Sequence, residues 1–186
     1  LAMSASFGTI SANDGSGHQG AGDYTVSALV LSGPPTTENG VTSIAGTVAV
    51  DLRGSQIGSA LVTFTCNLGT GPRGANQCLG SLVFEGTLRG LEGSYQATMT
   101  NWIAGGEDAF TSSDYKLIKG SGTGELANLE DLEGVILHDE DAGPVGVYTA
   151  DYKFEAPEID LNNLSGFNLQ ELFNLEADGT ISTEDL

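Results

Sequence analysis

The feature that most limits what this chain can become is a succession of short β-prone runs cut apart by glycine. The clearer runs are GDYTVSALVL (22–31), VTSIAGTVAVDL (41–52), GSALVTFTC (58–66), GSLVFEGTL (80–88) and GSYQATMTNWI (93–103). FTSSDYKLIKG (110–120) and GVYTADYKFE (146–155) follow, and SASFGTIS (4–11) offers one more. Threonine, valine, tyrosine and phenylalanine gather in them and alternate with small or polar residues. In 93–103 one parity carries Tyr95, Ala97 and Met99; in 146–155 Tyr148, Ala150, Tyr152 and Phe154 oppose Val147, Thr149, Asp151 and Lys153. Such alternation marks half-buried antiparallel strands. No helix long enough for a parallel crossover lies between them, so a barrel or sandwich follows. A closed barrel leaves no exposed edge and is the favoured expectation. Glycines such as Gly86, Gly90 and Gly93 then supply tight turns and strand curvature.

Charge narrows the list of partners. The 186 residues carry 25 acidic and 6 basic side chains, a formal charge of −19. A backbone-clamping nucleic-acid binder needs a basic footprint, and this chain has none. Adhesion to an anionic membrane is disfavoured for the same reason, and no apolar run approaches the roughly 18 residues of a spanning helix. The acidity is uneven. Residues 1–104 hold 6 acids and 3 bases, residues 105–186 hold 19 acids and 3 bases, and residues 156–186 hold seven acids and no base. The division predicts a β-barrel over 4–155 and an acidic C-terminal extension over 156–186. Phe167, Leu169, Leu172, Phe173 and Leu175 could line one side of a short helix in that extension.

The two cysteines, Cys66 and Cys78, flank LGTGPRGANQ, which reads as a loop between two strands. A disulfide there closes a short hairpin and points to an extracellular or otherwise oxidising compartment. Two free buried thiols are the alternative. The sequon Asn163-Leu164-Ser165 is compatible with secretion.

Few residues offer chemistry. His18 and His138 stand apart from any spaced ligand set, and no nucleophile elbow or phosphate loop is present. No cofactor is required by any of these patterns. The acidic stretch DLEGVILHDEDAG (131–143) reads as a solvated loop that bears Asp139, Glu140 and Asp141. NLEADGTISTED (174–185) resembles the calcium loop of EF-hands and dockerin-type repeats. Glu176, Asp178 and Asp185 are its candidate ligands and Gly179 its turn residue, but Asn174 replaces the first aspartate. Glu85, inside VFEGTL, is the candidate acid–base carboxylate: it faces either solvent or a lumen in which burial would raise its pKa. Tyr95, Trp102, Tyr115 and Tyr152 are candidates to line a cavity for an apolar ligand, against the alternative of plain core packing.

GTLRGLEGSYQATMT (86–100), GSGTGELANLEDLEG (120–134) and YTADYKFE (148–155) together resemble the DUF3224-type family, a group related in fold to the allene oxide cyclases among the calycin-like barrels. The resemblance covers 4–155 and implies an eight-stranded antiparallel barrel with a central cavity and no assigned activity. In many relatives a histidine stands near the position of Met99. Gly122, Gly124 and Glu125 match the most specific motif, where a tight turn and a carboxylate on backbone donors is the expected role.

Three functions compete on this basis: a barrel that binds a small hydrophobic molecule, a cyclase or isomerase acting on such a molecule, and an extracellular interaction module with a packed barrel. Whether it is an enzyme stays open, and association into a homo-oligomer is compatible with each.

Overall fold

The computed structural model describes residues 17–107 and 109–155. SASFGTIS, the sequon, the expected helix and the calcium-loop candidates Glu176, Asp178 and Asp185 lie outside the described residues. Among the described residues nine strands follow one another: β1 (His18–Leu31), β2 (Thr36–Glu38), β3 (Val41–Gly54), β4 (Gln56–Asn67), β5 (Asn76–Leu88), β6 (Leu91–Ala104), β7 (Phe110–Leu117), β8 (Leu129–Asp139) and β9 (Val145–Phe154). Each long strand pairs antiparallel with the next, and β1 pairs with both β9 and β3, which closes the sheet. The short β2 continues the β1 side of β3: β1 covers residues 46–54 and β2 covers 41–43. The wall is therefore an eight-stranded up-and-down barrel, the calycin-like architecture.

The strands form because alternate residues find the lumen. Ala60, Val62, Phe64 and Cys66 of β4 face in, as do Leu82, Phe84 and Leu88 of β5 and Tyr148, Ala150, Tyr152 and Phe154 of β9. The two-residue turns Asn39-Gly40 and Arg89-Gly90 have positive φ at both positions (51° and 80°, 51° and 87°), the turn that matches strand twist. Gly58, Gly86 and Gly93 stand opposite one another across β4, β5 and β6. A Cβ on Gly86 would collide with the Ile57 carbonyl, so the sheet bends there because no side chain intervenes.

Two segments depart from the sequence expectation. β1 begins at His18 instead of residue 22. The stretch 131–143, expected to be a solvated loop, is for the most part strand β8, between β7 and β9; only Glu140–Ala142 form a 3-10 turn. Leu132 is fully buried and Ile136 partly so, while Val135 and Leu137 on the outer face are exposed. Apolar residues on both faces hide the alternation that would have announced the strand.

Cys66 and Cys78 are direct cross-strand partners on β4 and β5 and form the disulfide. That bond belongs to an oxidising compartment, extracellular or equivalent. Among the described residues no helix is long and apolar enough to cross a membrane.

The barrel has a closed end and an open one. At the closed end the β7–β8 connection folds over the start of β6. Ile118 N–H donates to the Gln96 carbonyl (2.8 Å), Thr123 N–H to the Ser94 carbonyl (2.9 Å), and the Glu125 carboxylate accepts the Glu92 N–H (2.8 Å). Gly124 takes φ 60°, which turns the chain so that Leu126 drops into the barrel with no exposed surface. The GSGTGEL motif thus makes the plug, and Glu125 has the backbone-satisfying role expected of it.

Candidate functional site

Above that plug the lumen is not filled. A cavity of about 340 Å³ extends to the opposite end, where the exposed residues Leu29 and Glu140 belong to its lining and bring it to solvent. Its walls are mostly apolar: Val48, Val50 and Val62 on β3 and β4, Leu82 on β5, Met99 on β6 and Ile136 on β8.

The floor is a hydrogen-bonded group built around Gln56, which is 1% exposed. Tyr95 donates its hydroxyl to Gln56 Oε1 (2.5 Å), Gln56 Nε2 donates to Tyr115 Oη (3.3 Å), and Tyr115 donates to the Thr149 carbonyl (2.8 Å). The Gln56 backbone N–H donates to Tyr148 Oη (2.8 Å). These bonds satisfy polar atoms that would otherwise be costly to bury. Burial pushes the Tyr95 and Tyr115 hydroxyls well above the ordinary phenol value, and that of Tyr24 up to about 12. Tyr95 and Tyr115 are therefore neutral hydrogen-bonding groups at any physiological pH.

Glycine sets where these rings lie. Tyr115 stands opposite Gly134, Tyr148 opposite Gly22 and Tyr24 opposite Gly146. A Cβ at Gly134 would come within 2.7 Å of the Tyr115 ring, and one at Gly22 within 2.7 Å of the Tyr148 ring. Each ring covers a position that has no side chain.

Trp102 reaches the lumen through a bulge. Tyr95, Ala97 and Met99 face in, so strict alternation would turn Trp102 out. Instead Gly80 pairs with Met99 and Cys78 with Trp102, leaving Thr100 and Asn101 opposite the single Leu79. Asn101 takes φ 50°, which asparagine tolerates better than most residues, and its amide donates to Asp114 Oδ2 (2.6 Å). The extra residue flips the parity. Trp102 packs edge-on to Phe64 (centroids 5.8 Å apart) beside the disulfide.

The rim is polar. His138 stacks on Tyr24 (6.0 Å, 27°), Glu140 Oε1 accepts the Thr111 hydroxyl (2.7 Å), and Asn76 completes that side. Trp102 Nε1 and His138 Nδ1 are buried without a hydrogen-bond partner.

Of the sequence candidates, Tyr95, Trp102 and Tyr115 line this one cavity. Tyr152 does not: it is buried toward the closed end, between His18 and Phe154. Glu85 does not either, since it is exposed on the outer face of β5 beside inward Phe84, the solvent-facing alternative of the two. The Met99 side chain, where relatives are expected to carry histidine, is buried and apolar in the wall. Sequence reasoning missed Gln56, Tyr24, Tyr148, His138 and Glu140. Gln56 had a readable signal, since it shares the parity of Ala60, Val62, Phe64 and Cys66. Among the described residues no three His, Cys, Asp or Glu side chains gather as a metal site.

No protein-family model and no curated protein matches the chain. A solved structure described as a protein of unknown function from the DUF3224 family of Shewanella oneidensis MR-1 superposes with a TM-score of 0.61 at 18% identity, covering 75% of this chain and 99% of that one. The likeness shows the fold, and it is the fold that the sequence resemblance implies.

Proposed function

We propose that the protein is a small-molecule-binding barrel that holds an apolar ligand in its cavity. The carrying observation is the cavity itself. Its volume is within the range of roughly 300–1,000 Å³ usual for ligand sites. The floor groups are already hydrogen-bonded to one another, so a ligand body entering the lumen meets apolar walls and leaves no polar atom newly unpaired. A cyclase or isomerase that works by proton transfer would need an acid–base group beside the bound molecule. The Tyr95 and Tyr115 hydroxyls are committed to hydrogen bonds and kept protonated by burial, and the remaining acid–base groups of the lining, Glu140 and His138, sit out at the rim. Binding without chemistry is the reading this supports.

Trp102 is the sole tryptophan of the chain and lines the cavity, so its fluorescence reports occupancy. Titration with a neutral probe such as 4-phenylbutan-1-ol should shift that emission and give a negative heat capacity of binding by calorimetry. Val48→Trp, which fills the lumen from a partly buried wall position, should abolish the heat in a variant that still melts cooperatively. Unchanged binding by a folded Val48→Trp variant would sink the proposal.

A further inference from the structure

The rim adds a charge preference to that cavity. Among the described residues the open end carries Glu38, Glu107, Asp139, Glu140 and Asp141 in its strand ends and turns. The closed end is acidic as well, with Glu92, Glu125, Glu130, Asp131, Glu133 and Glu155, but five of the chain's six basic residues lie among those carboxylates. Arg53, Arg89 and Lys119 occupy the closed-end turns, Lys116 and Lys153 the closed-end thirds of β7 and β9, and Arg73 alone lies at the open end. A ligand that enters the lumen passes through a negative field, and Glu140 belongs both to that rim and to the cavity lining. Just inside it lies the Trp102 ring, and the face of an indole attracts a cation.

Resting on the binding reading above, we infer that the cavity selects a hydrophobic amine: an aromatic or aliphatic body in the lumen with an ammonium group at the Glu140 rim. Size supports a compact body. At about 340 Å³ the cavity lies near the lower end of the roughly 300–1,000 Å³ usual for ligand sites. An anionic head is disfavoured at this rim, because it would lie against a carboxylate and under the repulsion of its neighbours.

The test compares three probes of nearly one shape, 4-phenylbutylamine, 4-phenylbutan-1-ol and 4-phenylbutanoate, by calorimetry and Trp102 fluorescence. The amine should bind about fivefold tighter than the alcohol at low ionic strength, the upper range for an exposed ion pair, and the carboxylate more weakly than the alcohol. The amine-to-alcohol ratio should fall toward one in high salt and in Glu140→Gln, which keeps an oxygen for Thr111. An alcohol that binds while the amine gains nothing, or a carboxylate that binds tightest, would overturn the charge preference and leave the cavity reading standing. Binding by none of the three would remove both.

Discussion

The same eight strands build two unlike halves. At the closed end Leu88, Leu126 and Leu132 have no exposed surface, and the Gln56 group just above them is internally hydrogen-bonded. At the open end Ile44, Trp102 and His138 are only partly buried, two ring nitrogens have no partner, and Glu140 is exposed. The closed half is packed with side chains and, the Tyr152 hydroxyl excepted, has its buried polar groups paired; the open half keeps unfilled volume and two unpartnered ring nitrogens. Stability is concentrated where the ligand cannot reach, which leaves the other end free to be concave.

Truncating the plug attacks the closed half directly. Leu126→Ala leaves a void under the barrel and should cost about 3 kcal/mol, lowering the melting temperature by roughly 10 °C. A loss below about 1 kcal/mol would mean that the plug is not a keystone and that the contrast between the ends is wrong. Removing the cross-link at the other end is the matching experiment. Replacing Cys66 and Cys78 by alanine should lower stability by about 3 kcal/mol, since the bridge closes a loop of sequence separation 12. Because the disulfide packs beside Trp102, this variant should also shift Trp102 emission, whereas Leu126→Ala should leave the emission unchanged.

How much of this was legible in the sequence depends on the same two ends. Strands β3, β4, β5, β6, β7 and β9 announce themselves through alternation, since their inner parity is largely apolar even where the outer face carries residues such as Leu61, Leu79 and Val147. β8 does not, because Val135 and Leu137 are apolar on the outside while Gly134, inside, makes room for the Tyr115 ring. Parity cannot place Trp102, since nothing in NWI signals that Asn101 will be the extra residue of a bulge. The pairing of Gln56 with Tyr95 and Tyr115 requires three strands to converge, a tertiary fact that local pattern does not carry. His138 and Glu140 were visible as residue types, but they gain meaning only once β8 is a strand that delivers them to the rim.

Alkaline pH tests the burial of the rim and floor tyrosines together. An unfolded tyrosine loses its proton near about pH 10. In the folded barrel Tyr24 holds its proton to about 12, and Tyr95 and Tyr115 are likewise raised by burial. The unfolded chain therefore releases protons first as pH climbs. Stability contributed by the neutral phenols is complete below pH 10 and is lost as pH rises through the folded values, at about 1.4 kcal/mol per tyrosine per pH unit. Denaturant midpoints from pH 9 to 12, followed together with phenolate absorbance, should show unfolding and ionisation in step. Ionisation of Tyr24, Tyr95 and Tyr115 well before unfolding would show that the cavity is wetter than its burial implies.

The smallest effect has the most diagnostic sign. Tyr95 and Tyr152 are both almost wholly buried, at 1% and 3% exposed, and both point inward from the barrel wall. The Tyr95 hydroxyl donates to Gln56, whereas the Tyr152 hydroxyl has no partner. Tyr95→Phe strands the Gln56 carbonyl and should cost about 1–2 kcal/mol. Tyr152→Phe removes a buried group that gains nothing from its surroundings, so stability should hold or rise by up to about 1 kcal/mol. Equal losses in both variants would show that the Tyr152 hydroxyl is satisfied in solution, most simply by an ordered water at the closed end. The closed half would then be less dry than its fully buried leucines imply, and the contrast with the open cavity would become one of degree.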